Sequence, residues 1–488
     1  MAKIDRRRPD VRRVRNGVLT ALLIGAAAAC SPDRVVGGVP LPSNLSDPAA
    51  MGSRSGALAV YNGTLAQFRD AFGGFNGTSF IEAAGELSDE LQNGTALGAT
   101  SVTPNIVDVR VLPEAEEPNA QSDAVPAAVY SELQRVRGQA RQGVGLLRDY
   151  APDVSHALLG HLYALMGYSE VMLAELYCSG IPLSTLDYNG DYTLAPGSST
   201  AEVLTHARAL FDTALALSAD SARILHLARV GKGRALLGLG DFAGAAAAVA
   251  DVPDGYRYEV TYSGTTETGL ADPRNFATVL FGRWAFSVSD VEGGTGLDYI
   301  SSGDPRTAVV PAGKSTGGIS LFSPVKYAPD GGTPIVLADG VEARLIEAEA
   351  ALHGAGGNWL AILNALRTDG TFDTQPDPVD ATKVDTLWHA GSGGVAGLAP
   401  LSDPGTDSAR VDLVFRERAF WLFLTGHRQG DLRRLIRQYG RQPDDVYPVG
   451  PYPAAGGTVY YGTDVTMPIP ATERIANSKF TGCINRDA

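Results

Sequence analysis

The chain has 488 residues, of which 44% are hydrophobic and 19% charged, so its composition excludes a disordered chain and suits a large folded core. Its formal net charge at pH 7 is −14. The first 29 residues carry seven basic and two acidic side chains, which leaves the remainder at about −19. So acidic a chain excludes nucleic acid as a partner, because nucleic acid binds to basic surfaces, but it sets no limit on a neutral sugar.

The N-terminus has the features of an export signal. A basic stretch precedes a mostly apolar run over residues 17–29, which is too short to cross a bilayer as a permanent helix. Ala28 and Ala29 then precede Cys30, and small residues directly before a cysteine resemble the bacterial lipobox. We therefore predict a lipoprotein signal peptide over residues 1–29 and lipidation of Cys30. The alternative is a plain secretory signal with an incidental cysteine.

Residues 30–50 are rich in Pro, Gly, Ser and Asn, a composition that predicts a flexible tether. No other stretch of the sequence is long and apolar enough to span a bilayer, so we expect attachment through the lipid alone.

Two cysteines, Cys178 and Cys483, remain once Cys30 is assigned to the lipid. A pair of cysteines in an exported chain favours a disulfide, which would join the end of a long helix to the C-terminal tail. The alternative is two unpaired thiols.

Residues 51–488 are predicted to form one domain that is mostly helical. Apolar residues recur with helical spacing, and Gly or Pro marks several of the ends. The predicted helices cover residues 52–71, 79–91, 129–150, 156–176, 207–217, 222–239, 341–353 and 358–366.

Two of these segments match tetratricopeptide repeats. Residues 207–217 follow the second-helix pattern, and residues 240–245 follow the turn pattern. Phe211 and Phe242 are expected to insert as knobs into the next repeat. We predict a mostly α fold, in which tetratricopeptide-like helix pairs form an α-superhelical scaffold with loop-rich inserts and a few short strands.

The inserts are expected at about residues 253–334 and 370–410, where the helical period is lost. In the first insert, Tyr256, Tyr258, Val260 and Tyr262 alternate with polar residues, which predicts a strand. Residues 284–288 show a similar pattern.

Near the C-terminus, residues 415–435 predict a helix that bends near Gly426 and Gly430. A seam along it carries both apolar and charged side chains at helical spacing. Charges on a buried seam need internal partners, because an unpaired buried charge costs several kcal/mol. We therefore expect structural ion pairs from these side chains: Glu417, Arg418, Arg428, Asp431 and Arg433.

This segment and the one that follows it contain, in order, Glu417-Arg418, Gly426-His427-Arg428, Asp431-Leu432-Arg433-Arg434, Pro468-Ile469-Pro470 and Asn477. This series of motifs resembles the C-terminal signature of the SusD/RagB family. Trp421 and Thr425 stand where that family commonly has acidic residues, so the local ion-pair network must differ here.

Members of that family are outer-membrane lipoproteins that capture nutrients, mostly glycans, and pass them to a TonB-dependent transporter. The resemblance implies a helical-repeat scaffold at the cell surface, an oligosaccharide or peptide ligand, and a SusC-like TonB-dependent transporter as the partner. It also implies that ligand contacts come mainly from the inserts.

Sugar binding needs aromatic faces for C–H surfaces and planar polar side chains for hydroxyls, best held on loops of a rigid scaffold. For each aromatic residue of the inserts, the alternative role is packing of the insert onto the helices. The candidates are Trp284, Tyr299, Trp388, Tyr256, Tyr258 and Tyr262.

No constellation in the sequence supports catalysis, a metal or a cofactor. His156 and His161 lie off a common helix face, and no His-Glu-x-x-His motif occurs. Gly313-Lys314-Ser315 resembles the end of a phosphate-binding loop, but Ala308 occupies the first glycine position. We therefore predict a nutrient-binding lipoprotein. The alternative is a helical-repeat scaffold lipoprotein that recruits proteins at the outer membrane.

Overall fold

The computed structural model describes residues 51–75, 78–94, 106–114, 123–264, 272–282, 286–368, 372–376, 384–388, 398–453 and 459–488. The chain divides into two units, Met1–Gly52 and Ser53–Ala488, and only Met51 and Gly52 of the first are described. The predicted signal peptide, Cys30 and the tether therefore lie outside the described residues. Within those residues, no helix combines the length and apolarity that crossing a membrane requires.

The fold is mostly α, as predicted. The helices are α1 (Arg54–Gly73), α2 (Phe80–Leu87), α3 (Ala124–Tyr150), α4 (His156–Leu176), α5 (Thr200–Leu217), α6 (Ala222–Leu239), α7 (Phe242–Val249), α8 (Ala277–Gly282), α9 (Gly340–Leu352), α10 (Trp359–Thr368), α11 (Asp407–Trp421), α12 (Arg428–Tyr439), α13 (Pro443–Val446) and α14 (Ala471–Ala476).

Consecutive helices from α3 to α7 pack against one another, as do α9 and α10, so helix pairs build the scaffold. Phe211 of α5 is fully buried and inserts between two glycines, Gly167 of α4 and Gly231 of α6. A Cβ at Gly167 would lie 2.8 Å from the Phe211 ring, so only glycine permits this approach. Phe242 stacks on His353 at the end of α9, with 3.6 Å between ring centroids.

Two predicted helices, residues 156–176 and 222–239, have the predicted ends. Helix α5 begins seven residues earlier than predicted, because Ser199 and Glu202 form a reciprocal capping box at its N-terminus. Helix α3 begins at Ala124, with Pro126 in its first turn, where the missing N–H of proline costs nothing.

The strands form small antiparallel two-stranded sheets: β1 (Leu91–Asn93) with β7 (Phe286–Val288), β2 (Ile181–Pro182) with β5 (Gly197–Ser198), β3 (Thr185–Leu186) with β4 (Tyr192–Thr193), β6 (Arg257–Val260) with β10 (Ile335–Asp339), β8 (Val309–Lys314) with β9 (Ser320–Pro324), and β11 (Phe372–Pro376) with β12 (Val384–Trp388). Strands β6 to β9 lie in the first predicted insert. The second predicted insert contains the β11–β12 hairpin, and its last residues begin α11.

The predicted bent helix over residues 415–435 is instead two helices, α11 and α12, separated by residues 422–427. Leu424 and Gly426 in the break have positive φ angles of 53° and 76°. A Cβ at Gly426 would lie 2.6 Å from the Phe80 ring, so the break lets α2 approach closely. Burial of Phe423 and Leu424 in this irregular turn, and not in a helix, explains why the apolar seam gave the wrong prediction.

Cys178 and Cys483 form a disulfide, with 5.9 Å between their Cα atoms, which confirms the predicted pairing. The disulfide joins the segment just after α4 to the C-terminal tail. In the same segment, Ser179 forms an antiparallel β-bridge with Asn485 of the tail. A loop of 305 residues closed in this way is expected to stabilise the fold by roughly 6 kcal/mol in the chain-entropy model.

Candidate functional site

The predicted row of tyrosines ties β6 and its flanks to the scaffold. The Tyr256 hydroxyl donates to the backbone carbonyl of Arg223 in α6 at 2.8 Å. The Tyr262 hydroxyl donates to the backbone carbonyl of Arg69 in α1 at 3.0 Å. These contacts fit the packing role that we weighed against ligand binding for these residues.

Tyr258 lines a cavity of about 310 Å³ between α1, α4, α6 and β6. The buried ring of His161 hydrogen-bonds Tyr258 at 2.6 Å and Tyr61 at 2.9 Å. Burial lowers the pKa of His161 to about 3, so the imidazole is neutral at pH 7 and uses one nitrogen as donor and the other as acceptor. Arg223 lies 4.1 Å from the centre of the Tyr258 ring, so that face of the ring is covered.

Tyr299 lies in the interior. Its side chain is fully buried, and its ring packs 5.5 Å from Phe420 and 5.1 Å from Phe423. A sugar therefore has no access to this ring in the observed conformation. Trp284 lies outside the described residues, and Trp388 ends β12 opposite Phe372. For both tryptophans, ligand binding stays a prediction.

The predicted charged residues of α11 and α12 form buried ion pairs with each other and with the segment after α2. Arg418 contacts Asp431 at 2.8 Å, and Arg428 contacts Asp89, beyond α2, at 2.6 Å. Burial alone would raise the pKa of Asp431, but the guanidinium groups of Arg418 and Arg434 hold it well below its usual value.

Glu417 forms ion pairs with two arginines, one in the first insert and one just before the second. Arg306, in the turn before β8, and Arg367, at the end of α10, each contact it at 2.7 Å. Arg433 differs from the prediction: it donates to the backbone carbonyls of Ala174 and Tyr177, and the described part of the chain shows no carboxylate paired with it. Burial lowers the pKa of Arg433 to about 9.

The pentapeptide Gly313-Lys314-Ser315-Thr316-Gly317 has the Gly-x-Ser-x-Gly spacing of a nucleophile elbow. That motif needs a strand-to-helix turn, whereas these residues end β8 and turn towards β9. The Ser315 hydroxyl accepts a hydrogen bond from the Ile319 backbone N–H at 3.2 Å, which closes the hairpin. Across the described ranges, no group of three or more His, Cys, Asp or Glu is placed to hold a metal ion.

An open groove of about 380 Å³ runs along α3, and we call it the glutamine groove. Its other walls are the segment from β2 to β4 and helix α14. The lining residues are Tyr130, Ser131, Gln134, Arg135, Gly138, Gln139, Gln142, Pro182, Ser184, Thr185, Leu186, Tyr192, Thr472, Glu473 and Ala476.

An exposed aromatic residue stands at this groove. Leu186 and Tyr192 are cross-strand partners in the β3–β4 hairpin, so both side chains lie on one face of the hairpin. Their exposed fractions are 38% and 58%. The hairpin reverses at Asn189 and Gly190, a turn sequence in which the positive φ of 93° at glycine is free of strain.

Polar side chains of α3 and α14 complete the lining of the groove. Gln134, Gln139 and Gln142 lie along α3, and Glu473 comes from α14, where it accepts a hydrogen bond from the Tyr130 hydroxyl at 3.3 Å. The amide of Gln134 is engaged within the protein, because its Nε2 donates to the Pro182 backbone carbonyl at 3.1 Å and its Oε1 accepts from Arg137. Amide groups both donate and accept hydrogen bonds, so Gln139 and Gln142 supply groups suited to hydroxyls beside an accessible aromatic side chain. The sequence analysis missed Tyr192. The signal that could have found it was the Asn-Gly turn between Leu186 and Tyr192.

No protein-family model matches this sequence, and no curated protein matches it. Solved structures do match in fold. A SusD superfamily protein from Bacteroides thetaiotaomicron has a TM-score of 0.63 at 13% identity, with 88% of this chain and 99% of that chain covered.

Two further structures match with a TM-score of 0.58 and the same coverage of 88% and 99%. They are a laminarin-binding SusD-like protein, at 16% identity, and the surface glycan-binding protein A from Bacteroides thetaiotaomicron in complex with laminarihexaose, at 10% identity. At these identities the comparisons show that the fold is the same.

Proposed function

We propose that this protein, which has the fold of SusD-like proteins, binds an oligosaccharide in the glutamine groove. The observation that carries the proposal is the exposed side chain of Tyr192 in the lining of a groove that also contains Gln139 and Gln142. An accessible aromatic face can cover the C–H surface of a sugar ring, while amide side chains exchange hydrogen bonds with its hydroxyls. The groove volume of about 380 Å³ falls in the range of small-molecule sites.

The neighbours in fold support a carbohydrate as the ligand. One is a laminarin-binding SusD-like protein, and another was solved with laminarihexaose. These neighbours support a carbohydrate as the class of ligand, whereas the position of the binding site rests on the groove of this chain.

A peptide is the second candidate ligand. Leu186 is 38% exposed beside Tyr192, and an aliphatic side chain at the rim of a groove favours apolar peptide side chains. Testing glycans and peptides on one array separates the two ligands.

The sugar test uses the soluble form, residues 31–488, in native gels that contain a panel of soluble polysaccharides. We expect at least one polysaccharide to retard the protein, and Tyr192→Ala to abolish that retardation. Tyr460→Ala is the matched control, because Tyr460 is 64% exposed and lies outside the lining of the groove. Equal retardation of both variants would contradict binding in the glutamine groove. Retardation by none of the polysaccharides would contradict an oligosaccharide as the ligand.

The proposal extends to the cell surface. Lipidation of Cys30 would anchor the protein in the outer membrane, and a SusC-like TonB-dependent transporter would receive the sugar. The lipobox-like Ala28-Ala29-Cys30 and the SusD-like fold support this arrangement. We expect Cys30→Ser to move the protein from the membrane fraction to the soluble fraction of fractionated cells. Retention of this variant in the membrane would rule out the lipid anchor.

A further inference from the structure

A second pocket, of about 280 Å³, adjoins the glutamine groove on the other side of Gly138, and we call it the arginine pocket. Helices α3, α4 and α5 and the residues around β3 form its walls. Its charged and titratable lining residues are Arg137, Arg141, Arg148, Tyr163, Glu170, Asp187 and His206.

The buried carboxylate of this pocket is already neutralised by the protein. Glu170 is 1% exposed, and its Oε1 accepts a hydrogen bond from Arg137 Nε at 2.8 Å. Its Oε2 lies 2.6 Å from His206 Nδ1. Because both oxygens are engaged, the charge of Glu170 is offset and does not repel an incoming anion.

Two guanidinium groups at the rim remain available. Arg148 donates to the Tyr163 hydroxyl at 3.3 Å, and the described residues include no carboxylate paired with it. Arg141 contacts Asp187 at 2.7 Å, but both side chains are more than 40% exposed, and an exposed pair of this kind is worth only about 0–1 kcal/mol. An anion can therefore recruit Arg141 at little cost.

The pocket is positively charged in a chain of net charge −14. Three arginines line it against two carboxylates. The planar guanidinium fork matches the oxygens of a carboxylate or of a sulfate ester, and hydrogen bonds to such groups are stronger than those between neutral partners.

The two pockets adjoin each other and share part of their lining, and together we call them the trough. Gly138, Ser184 and Thr185 line both of them. A Cβ at Gly138 would have no atom within 4 Å, so the surface of α3 is open where the pockets meet. A chain of sugars on the Tyr192 side can therefore extend past Gly138 towards Arg148.

We infer that the arginine pocket binds the anionic group of an acidic oligosaccharide, whose neighbouring sugars lie in the glutamine groove. The inference rests on the proposed function and narrows its ligand from oligosaccharides in general to acidic ones. The anionic group is either the carboxylate of a uronic acid or a sulfate ester, since each presents two oxygens that can accept hydrogen bonds from one guanidinium.

Calorimetric titration of residues 31–488 tests this inference with three probes: a neutral oligosaccharide, a uronic acid oligosaccharide of the same length, and a sulfated one. The wild type is expected to bind one acidic probe at least tenfold more tightly than the neutral probe, and the preferred probe identifies the anionic group. Arg148→Ala is expected to abolish this preference, so that the acidic probe binds no more tightly than the neutral probe to the variant. Arg208→Ala is the control, because it removes an exposed arginine of α5 that does not line the pocket.

Equal affinity for neutral and acidic probes would overturn the inference and leave the proposed function standing. A preference for acidic probes that Arg148→Ala does not reduce would also overturn it. Failure of all three probes, and of the polysaccharide panel, would remove the proposed function and the inference together.

Discussion

At the scale of single residues, the described interior holds carboxyl groups whose pKa burial raises. Asp108, Glu292 and Glu86 are all buried, and desolvation raises the pKa of each; the charge of Asp108 raises the pKa of Glu292 and of Glu86 further. For Asp108 the pKa rises to about 6. The Tyr452 hydroxyl donates to Asp108 at 2.7 Å and the Tyr461 hydroxyl to Glu292 at 2.8 Å, so these groups join the segment before residue 114 to the C-terminal segment.

This cluster predicts a loss of stability as the pH rises. An unfolded carboxyl group titrates near pH 4, so between about pH 4 and the raised pKa values the folded state holds more protons than the unfolded state. The free energy of unfolding from these groups therefore falls as the pH rises through that window. Asp431, with its lowered pKa, acts in the opposite sense and destabilises the fold only in acid.

Glu292→Gln tests this effect, because an amide resembles the protonated acid that Asp108, Ser289 and Tyr461 face. Between pH 5 and pH 8, the melting temperature of the wild type is expected to fall by about 1–3 °C more than that of Glu292→Gln. Glu114→Gln, on the surface, is the control and is expected to follow the wild type. A melting curve of Glu292→Gln with the same pH dependence as the wild type would contradict this account of the cluster.

At the scale of elements, α3 does two things: it packs on α1 and α4 as part of the scaffold, and its outer face lines both pockets. Gly138 lies in the middle of this face. Glycine inside a helix lowers the stability by about 1 kcal/mol relative to alanine. A Cβ at Gly138 would meet no neighbouring atom within 4 Å, so packing does not explain why this residue is a glycine. Its absence of a side chain is what leaves the trough open.

Gly138→Leu is expected to weaken binding of an acidic oligosaccharide at least tenfold, because the new side chain would stand between the two pockets. The stability of the variant is expected to stay equal or to rise by about 0.5–1 kcal/mol, since leucine favours the helix over glycine. Gly63→Leu in α1 is the control, because a Cβ there also meets no atom within 4 Å. Unchanged affinity in Gly138→Leu, with thermal stability as expected, would show that no ligand crosses this point.

The sequence predicted the helices whose ends are determined by local residue patterns. Helices α4 and α6 have their predicted ends, because each combines an apolar period with a clear stop. The break between α11 and α12 was missed, because apolar residues continue through it and only contacts with α2 explain the turn. The local Asn-Gly turn could have pointed to Tyr192, but the groove beside it could not be predicted, since one of its walls is α14, about 280 residues later in the chain.

At the scale of the whole molecule, contacts distant in sequence hold the inserts and the C-terminal segment to the helical scaffold. The disulfide between Cys178 and Cys483 fixes the C-terminal tail beside the end of α4. Arg428 reaches Asp89, and Glu417 reaches Arg306. Removal of one partner of such a buried pair typically costs about 3–5 kcal/mol, because the other charge is left buried without compensation.

The central claim is that an oligosaccharide lies against Tyr192 in the glutamine groove. A crystal structure of residues 31–488 with the oligosaccharide found in the panel tests it most directly. We expect a sugar ring stacked on Tyr192, with at least one hydroxyl hydrogen-bonded to a glutamine of α3. A sugar bound at Trp284 or elsewhere on the inserts, with the groove empty, would contradict the account.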